Sequence, residues 1–278
     1  LTTADLRGSS QPIICYCGAT RLRLIMNGGI ARIIILAPLL LLAACGRSAD
    51  SPATAASGGQ ADDRGLVGWW TFDEGSGTTA LDASGNGNTA TIRNGTWGSG
   101  KTGNALQMDG SNHGIVTVPL SDSLRSTADN VTVMGWAYRT AEHNVDLVGH
   151  AYPFLFLGFH GPRFKWQIAN TRGKKLSCYA DPKYRAELNR WFHLAGTYDG
   201  RTVRLYVDGE EICSKWSWMS SAIAMPDAPF TISGYLRDTG EIVDEITGKI
   251  DEVRIYNRVL SVDEIRRIYQ SVNQDTRS

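Results

Sequence analysis

Residues 248–270 constrain the fold more than any other stretch, because they combine a strand, a sharp stop and a short helix. Val253 and Ile255 alternate with charged or polar neighbours, which is the period-2 pattern of a strand with one face on a core. Ser261 begins a capping box with a glutamate three residues later, which predicts a helix start. A strand and a helix this short are not stable alone. They must therefore close a structure that the preceding chain builds.

The preceding chain predicts many short β-strands. The clearest hairpin spans 191–207, where two alternating runs flank Asp199 and Gly200, a dipeptide preferred in tight hairpin turns. The chain has 30 glycines, which suits an all-β fold with many turns. We predict one all-β domain, a two-sheet antiparallel jelly-roll sandwich with a short C-terminal helix. The other predicted strands lie within 66–72, 103–118, 131–138, 146–158, 163–169, 211–214, 230–234 and 248–256.

The N-terminal part predicts an export signal. Arg32 precedes an apolar run, 33–42, that is too short to span a bilayer. The run ends in Leu-Ala-Ala-Cys at Cys45, which resembles the lipobox of bacterial lipoproteins. That resemblance implies cleavage before Cys45, lipid attachment to it, and a bilayer as a partner of the anchor. The alternative is a plain signal peptide that contains a cysteine.

The remaining segments follow from this assignment. Residues 1–25 are an upstream segment that we do not expect in the mature protein, and 26–45 are the signal peptide. Residues 46–64 are rich in Ala, Ser, Gly and Asp and predict a flexible linker. The domain then covers 65–272, with a C-terminal tail at 273–278. The chain has 28 basic and 28 acidic residues, a balance that gives no field to attract nucleic acid.

The chain resembles the LamG-like jellyroll domain of the concanavalin A-like lectin/glucanase superfamily. The resemblance implies two packed antiparallel sheets with the first and last strands as neighbours. The match departs from the family pattern at His113-Gly114. The motifs that carry it, in family order, are 70–77 (WTFDEGSG), 82–87 (DASGNG), 103–106 (GNAL), 109–110 (DG), 195–200 (AGTYDG), 205–209 (LYVDG) and 250–256 (IDEVRIY).

The sequence contains no motif for catalysis. Glucanases of this superfamily carry Glu-x-Asp-x-Glu or a close variant on one strand, and retaining hydrolysis needs two nearby carboxylates. The closest run, 241–245, reads EIVDE and lacks a third acid at the right spacing. We therefore predict a binding module and not an enzyme, in the cell envelope outside the cytoplasm. Its predicted partner is a glycan or cell-surface polymer; the alternatives are protein adhesion and a divergent glycoside hydrolase.

A structural calcium ion is a further expectation. Strict alternation places Asp251 on the same side as Val253 and Ile255, and a carboxylate on an apolar side is costly unless a cation or several N–H groups bind it. The family resemblance implies that oxygen-rich turns complete the calcium shell, with Asp73, Asp109 and Asn112 as candidates. The alternative is that Asp251 accepts hydrogen bonds from loop backbone without a metal.

Candidate ligand-binding residues lie in or beside the less regular segments. Sugar recognition uses flat aromatic faces and a few polar groups in a shallow cleft. The alternative for each tryptophan is a place in the core between the sheets. The candidates are Tyr152, His160, Arg163, Trp166, Trp216, Trp218 and Tyr235.

Cys178 and Cys213 are the two cysteines of the predicted domain. The export signal places them where thiols oxidise, and the 191–207 hairpin between them reverses the chain. We predict that they form a disulfide that closes a loop of about 35 residues. The alternative is two free cysteines buried in the core.

Overall fold

The structure is a computed structural model that describes residues 63–275, apart from 152, 153, 219, 220 and 238. The predictions for 1–25, for the signal peptide with Cys45, for nearly all of the linker and for Tyr152 concern residues outside this description. Among the described residues, no helix has both the length and the apolar character needed to cross a bilayer.

Two antiparallel sheets of eight strands each form the domain, as predicted. Sheet A runs β14 (Glu210–Trp216), β13 (Thr202–Val207), β12 (Trp191–Tyr198), β7 (Val131–Arg139), β18 (Thr247–Tyr256), β5 (Asn104–Asp109) and β4 (Thr96–Ser99), and β1 (Leu66–Trp70) also pairs with β18. Sheet B runs β11 (Lys175–Tyr179), β10 (Arg163–Ala169), β9 (Leu155–His160), β8 (Val145–His150), β15 (Phe230–Ile232), β6 (Ile115–Val118), β3 (Ala90–Arg93) and β2 (Thr79–Ala80).

A short hairpin and two helices complete the described elements: β16 (Tyr235–Leu236) with β17 (Ile242–Val243), α1 (Asp122–Arg125) and α2 (Val262–Asp275). The pairing of β1 with β18 and of β12 with β13 confirms the predicted closing strand and hairpin. The capping box is present, because the Ser261 hydroxyl accepts from the Glu264 N–H and the Glu264 carboxylate accepts from the Ser261 N–H.

The inner faces of the sheets form one core. Trp166 of β10 is fully buried there, and its indole N–H donates to the Thr197 carbonyl at 2.9 Å. Gly196 makes room for it, because a Cβ at that position would lie 2.4 Å from the Trp166 ring. The expectation that Trp166 contacts a ligand is therefore corrected: alternation along β10 directs Trp166 inward, and Lys165 and Gln167 outward.

Helix α2 covers part of the outer face of sheet A. Its Ile265 and Ile268 are buried in a second cluster with Met134 and Tyr256 of the sheet. Tyr269 of the helix stacks on Trp136 of β7, with 5.5 Å between the ring centroids. The helix thus seals an apolar surface that a bare sheet would leave in water.

A β-bulge in β18 changes the predicted position of Asp251. Asp251 pairs with Trp136 and Arg254 pairs with Met134, so β18 has one residue more than β7 over this stretch. The backbone at Glu252 has a left-handed φ of 52°, as a bulge allows. The extra residue shifts the alternation, and Asp251 lies on the outer face beside Trp136 while Val253 faces the core. The prediction that the two share a side is wrong.

A disulfide joins Cys178 of β11 to Cys213 of β14, with 5.8 Å between the Cα atoms. The predicted bridge is confirmed. Because β11 is an edge strand of sheet B and β14 is an edge strand of sheet A, the bond closes one side of the sandwich.

Candidate functional site

The outer face of sheet B carries a set of polar and aromatic side chains that we call the Lys165 cluster, consisting of Asp146, Phe156, Lys165, Gln167 and Tyr179. The strand register brings them together. Lys165 pairs with Tyr179 of β11 on one side and with Gly158 of β9 on the other, and Asp146 of β8 also pairs with Gly158. Neighbouring side chains in one row of an antiparallel sheet lie on the same face.

Lys165 is a charged side chain on a sheet face, yet it is only 5% exposed. Its ammonium nitrogen lies 4.2 Å from the centroid of the Phe156 ring and 5.4 Å from that of Tyr179. Cation–π contacts compensate part of the cost of removing an ammonium group from water. The site therefore holds a positive charge in a fixed position between two aromatic rings.

Asp146 is fully buried next to this charge, and neither of its carboxyl oxygens has a hydrogen-bond partner among the described residues. Burial raises the pKa of Asp146 well above its usual value, the nearby Asp244 raises it further, and Lys165 opposes the shift. Burial likewise raises the pKa of Asp244. Both shifts favour the neutral carboxyl groups.

The segment after β15 closes over Asp146. The Asp146 N–H donates to the Asp244 carbonyl at 2.9 Å, and the Gly234 N–H donates to the Asp146 carbonyl at 2.6 Å. Tyr235, a predicted ligand residue, begins β16 in this segment and pairs with Val243. The hairpin thus forms one wall of the site.

Two further predicted ligand residues, His160 and Arg163, form a rim beside Tyr179. His160 packs edge-on against Tyr179 at 5.7 Å, and the Arg163 guanidinium lies 5.3 Å from the centroid of the Tyr179 ring. Two N–H groups of Arg163 donate to the Ala180 carbonyl at 3.0 and 2.8 Å, which fixes its orientation. The rim is therefore polar and ordered.

A row of threonines extends the outer face of sheet B away from the cluster. Thr79, Thr91, Thr117 and Thr231 pair in register across four adjacent strands, and Thr231 also pairs with Gly149 of β8. Adjacent strands are about 4.8 Å apart. Thr79 and Thr91 are exposed and Thr117 is partly exposed, whereas Thr231 is buried. The row continues through Gly149 toward Phe156 and Gln167.

Trp216 and Trp218 lie elsewhere. They are 63% and 69% exposed, at and just beyond the end of the edge strand β14 of sheet A. The structure therefore brings His160, Arg163 and Tyr235 to one face, leaves the two tryptophans at another place, and puts Trp166 in the core. Asp146 and Lys165 were missed, although a charge inside an apolar strand run was a signal for each.

Asp251 and Asp73 brace one loop. The Asp251 Oδ2 accepts from the N–H groups of Lys101 and Thr102 at 2.7 and 3.2 Å, and the Asp73 Oδ1 accepts from the Asn104 N–H at 2.8 Å. Burial raises the pKa of Asp251 to about 8. The other oxygen of Asp251 is buried without a partner among the described residues.

Asp109 and Asn112 do not join this pair. Asp109 pairs with Thr247, four positions before Asp251 on β18, which is about 13 Å along a strand. Its carboxylate accepts from the N–H groups of Ser111 and Asn112. Within the described part of the chain, no three His, Cys, Asp or Glu side chains form a metal-binding group. The predicted four-residue calcium shell is not assembled, and a calcium ion at Asp73 and Asp251 stays a prediction.

Asn112 instead lines a cavity of about 360 Å³. The cavity lies where the turn between β16 and β17 meets the turns that follow β3 and β5, and its walls include Arg93, His113 and Glu241. His113 is at the position where the sequence departs from the family motif. The cavity combines one acidic and one basic side chain in a small concave space.

These features place the chain in a known group of proteins. Residues 109–266 match the profile of the concanavalin A-like lectin/glucanases superfamily, and the chain belongs to that superfamily. No curated protein matches the sequence.

Several solved binding domains share the fold. The binding domain of Paraclostridial Mosquitocidal Protein 1 is 17% identical, with a TM-score of 0.61, over 75% of this chain and 52% of that one. Domain 4 of AbnA, a GH43 extracellular arabinanase from Geobacillus stearothermophilus solved with arabinotriose, is 19% identical, with a TM-score of 0.57, over 74% and 98%. The botulinum neurotoxin serotype D ligand binding domain, solved with N-acetylneuraminic acid, is 16% identical, with a TM-score of 0.56, over 75% and 51%. This chain thus spans about half of each toxin domain.

Proposed function

We propose that this chain is a carbohydrate-binding module that uses the outer face of sheet B. The observation that carries the proposal is the Lys165 ammonium, held out of water between two aromatic rings on a face that α2 does not cover. Sugars offer many hydroxyl groups and flat apolar ring faces, and such a site provides donors, acceptors and aromatic surface together.

The side chains divide the work of binding. The partly exposed Tyr179 ring provides a flat surface, and His160 and Arg163 provide polar contacts at the rim. Lys165 and Gln167 form the floor, where they are 5% and 4% exposed. Asp146 is closed off from solvent, and its backbone N–H and carbonyl hold Asp244 and Gly234 in place beside the site. Thr79 and Thr91, the exposed threonines of the row, offer hydroxyl groups for further units of a linear glycan.

The similar folds support the class of ligand and no particular sugar. One was solved with arabinotriose, a neutral sugar, and another with N-acetylneuraminic acid, an acidic one. Each of those ligands belongs to its own protein. For this chain we propose a glycan of the cell envelope or its surroundings.

A glycan array tests the proposal, with the full chain carrying Cys45→Ala so that no lipid interferes. We expect binding to a subset of glycans and its loss in Lys165→Met. Lys249→Met is the matched control, because the Lys249 ammonium donates to the Ser99 carbonyl on sheet A, away from the site. Equal binding by both variants would contradict the assignment.

We further propose that the domain is held outside the cytoplasm by a lipid on Cys45. The support is the apolar run before Leu-Ala-Ala-Cys and the polar linker after it. Palmitate labelling in a bacterial host should mark the chain and should not mark its Cys45→Ala variant. Equal labelling of the two would reject the anchor.

Hydrolysis is the alternative from another class, and the Asp146 and Asp244 carboxyl groups are the acidic pair at the proposed site. Glycosidases place both carboxyl groups against the scissile bond. The Asp146 oxygens are closed off from solvent, so they do not meet that requirement. We expect no reducing ends when the chain is incubated with β-glucans or arabinan. Product release that is lost in Asp146→Asn would overturn this.

A further inference from the structure

One end of the sandwich carries a surface that the glycan site does not use. Three segments meet there: the turn 170–175 between β10 and β11, the turn 199–201 between β12 and β13, and the chain that follows β14. The Ser217 N–H donates to the Arg201 carbonyl at 2.8 Å, and the Thr171 N–H donates to the Ala222 carbonyl at 3.2 Å. We call this end the basic tip and define it by Arg172, Lys174, Lys175, Arg201, Lys215, Trp216 and Trp218.

The two tryptophans of the basic tip are exposed, in contrast to the large aromatic residues of the core. Trp70 and Trp166 are fully buried, whereas Trp216 and Trp218 present most of their surface to water. Two indoles that are two residues apart leave apolar area in water, and burying that area would be favourable. Large exposed apolar groups mark surfaces that bind a protein, a membrane or a ligand.

The basic tip carries more positive than negative charge. Its five lysine and arginine side chains are all in the exposed class. The acidic residue of the 199–201 turn, Asp199, accepts hydrogen bonds from the Arg201 and Thr202 N–H groups and forms an ion pair with Arg204 at 3.1 Å. The neighbouring Asp129 adds one exposed acid. The surface therefore complements an anionic partner.

The beginning of the domain lies at the same end. Leu66 opens β1 and pairs with Tyr256, which pairs with Thr132 of β7. The next residue of β7, on the side toward its start, is Val131, and it pairs with Tyr198, the last residue before the 199–201 turn. The chain upstream of β1 thus departs from the end of the sandwich that carries the basic tip.

We propose that the basic tip rests on the surface of an anionic bilayer. Indole rings favour the boundary between headgroups and acyl chains, and each lysine or arginine near an anionic surface adds to the attraction. The indoles project from the end of an edge strand, a shape that suits insertion into an interface. A glycan would instead be recognised by several polar groups that converge beside an aromatic face, which is the arrangement that we propose for sheet B.

Vesicle flotation tests the proposal with the full chain carrying Cys45→Ala. The chain should float with vesicles of equal phosphatidylcholine and phosphatidylglycerol and should float poorly with phosphatidylcholine alone. Replacing both Trp216 and Trp218 with serine should lower the partition coefficient roughly tenfold or more. Each of Lys174→Ser and Lys215→Ser should lower it about fivefold.

Lys183→Ser with Tyr184→Ser is the matched control. This exposed cation and ring form a contact of 5.0 Å near Pro162, at the end of β10 opposite to the 170–175 turn. We expect unchanged flotation, and we expect release of the parent chain at about 1 M salt, where the Debye length is about 3 Å. Flotation that ignores the tryptophan replacements overturns the proposal. So does tryptophan-dependent binding to an anionic polysaccharide with no flotation, which would assign the tip to a glycan.

Discussion

The outer faces of both sheets carry aromatic and polar side chains, but a helix covers only the face of sheet A. On sheet A, the rings of Trp136 and His193 pack against each other and against the Tyr269 ring of helix α2. On sheet B, Phe156 and Tyr179 pack against a lysine, and the threonine row runs beside them without a helix above. A covering helix converts one face into a second core, whereas the other face keeps polar groups that we propose bind a glycan.

The difference predicts that substitutions on one face should change stability and that substitutions on the other should change binding. Substitutions under α2 remove packed surface and should cost stability without changing glycan recognition. Replacing the Lys165 charge with an apolar side chain of similar size should do the reverse, because such a replacement of a buried charge is often neutral for stability.

The largest effect is expected for Trp136→Ala. The side chain is nearly fully buried between β7 and α2, and its removal should lower the free energy of unfolding by about 3–5 kcal/mol. Urea denaturation measures the loss. Glycan binding by the folded fraction should stay at the level of the unchanged chain, and a loss below about 1 kcal/mol would show that α2 does not seal this face.

The disulfide links the two sheets and should come next. Cys178→Ala with Cys213→Ala frees a loop with a sequence separation of 35 residues. In the chain-entropy model this lowers stability by about 3–4 kcal/mol. Thermal melting of the oxidised chain, the reduced chain and the double variant should give one high value and two similar low ones. A reduced chain as stable as the oxidised one would contradict the expectation.

Acid should act on sheet A through His193. Burial lowers the pKa of His193 from 6.5 to about 3. Between these pH values the imidazole binds a proton in the unfolded chain and not in the folded chain. The stability from the neutral imidazole is complete above pH 6.5 and is lost as the pH falls toward 3. At pH 5 the loss is about 2 kcal/mol.

This loss appears in the comparison of the unchanged chain with His193→Gln at pH 7 and pH 5. The comparison isolates the residue, because the raised pKa of Asp251 gives a slope of the opposite sign in both chains. We expect the difference in unfolding free energy to shift in favour of the variant at pH 5. The same difference at both pH values would mean that folding does not lower the pKa of His193.

Lys165→Met should change stability by less than about 1 kcal/mol, because methionine keeps the apolar contacts with Phe156 and removes a buried charge. Urea denaturation beside the glycan array gives the two readouts for one variant. A large loss of stability would make Lys165 a structural residue and would move the glycan site elsewhere on the domain.

The smallest effect concerns calcium on sheet A. If a calcium ion binds at Asp251, it stabilises the native state by mass action, and thermal melting should differ between calcium and chelator. Asp251→Asn keeps an oxygen for the Lys101 and Thr102 N–H groups and should abolish that difference. Identical melting of the unchanged chain in both conditions would contradict a calcium site at Asp251, whose role would then be to bind the Lys101 and Thr102 N–H groups.

The sequence predicted the sandwich, the closing strand and the disulfide because each depends on local pattern or on few choices. Alternation located most strands, and only two cysteines were available in the domain. The bulge at Glu252 was not readable, because a glutamate with positive φ has no sequence signal. One extra residue was enough to put Asp251 on the other face.

The binding face was less predictable for a different reason. Asp146 and Lys165 are 19 positions apart in sequence and meet only because β8, β9 and β10 are neighbours in that order. The hairpin of β16 and β17 was also missed, since two-residue strands carry too little pattern to detect. His160 and Arg163 were candidates because they flank a visible turn, and their role in binding stays a prediction.

The pairing of β1 with β18 determines how the domain would carry mechanical load. The chain enters at Leu66 and runs inward along β18, with partners from Tyr256 to Val253. A pull on the upstream chain acts along the axis of β1 and loads its interstrand hydrogen bonds in shear, all at once. Peeling would break the same bonds one after another at a lower force. A module tethered through this strand is therefore attached in the direction in which a sheet resists extension best.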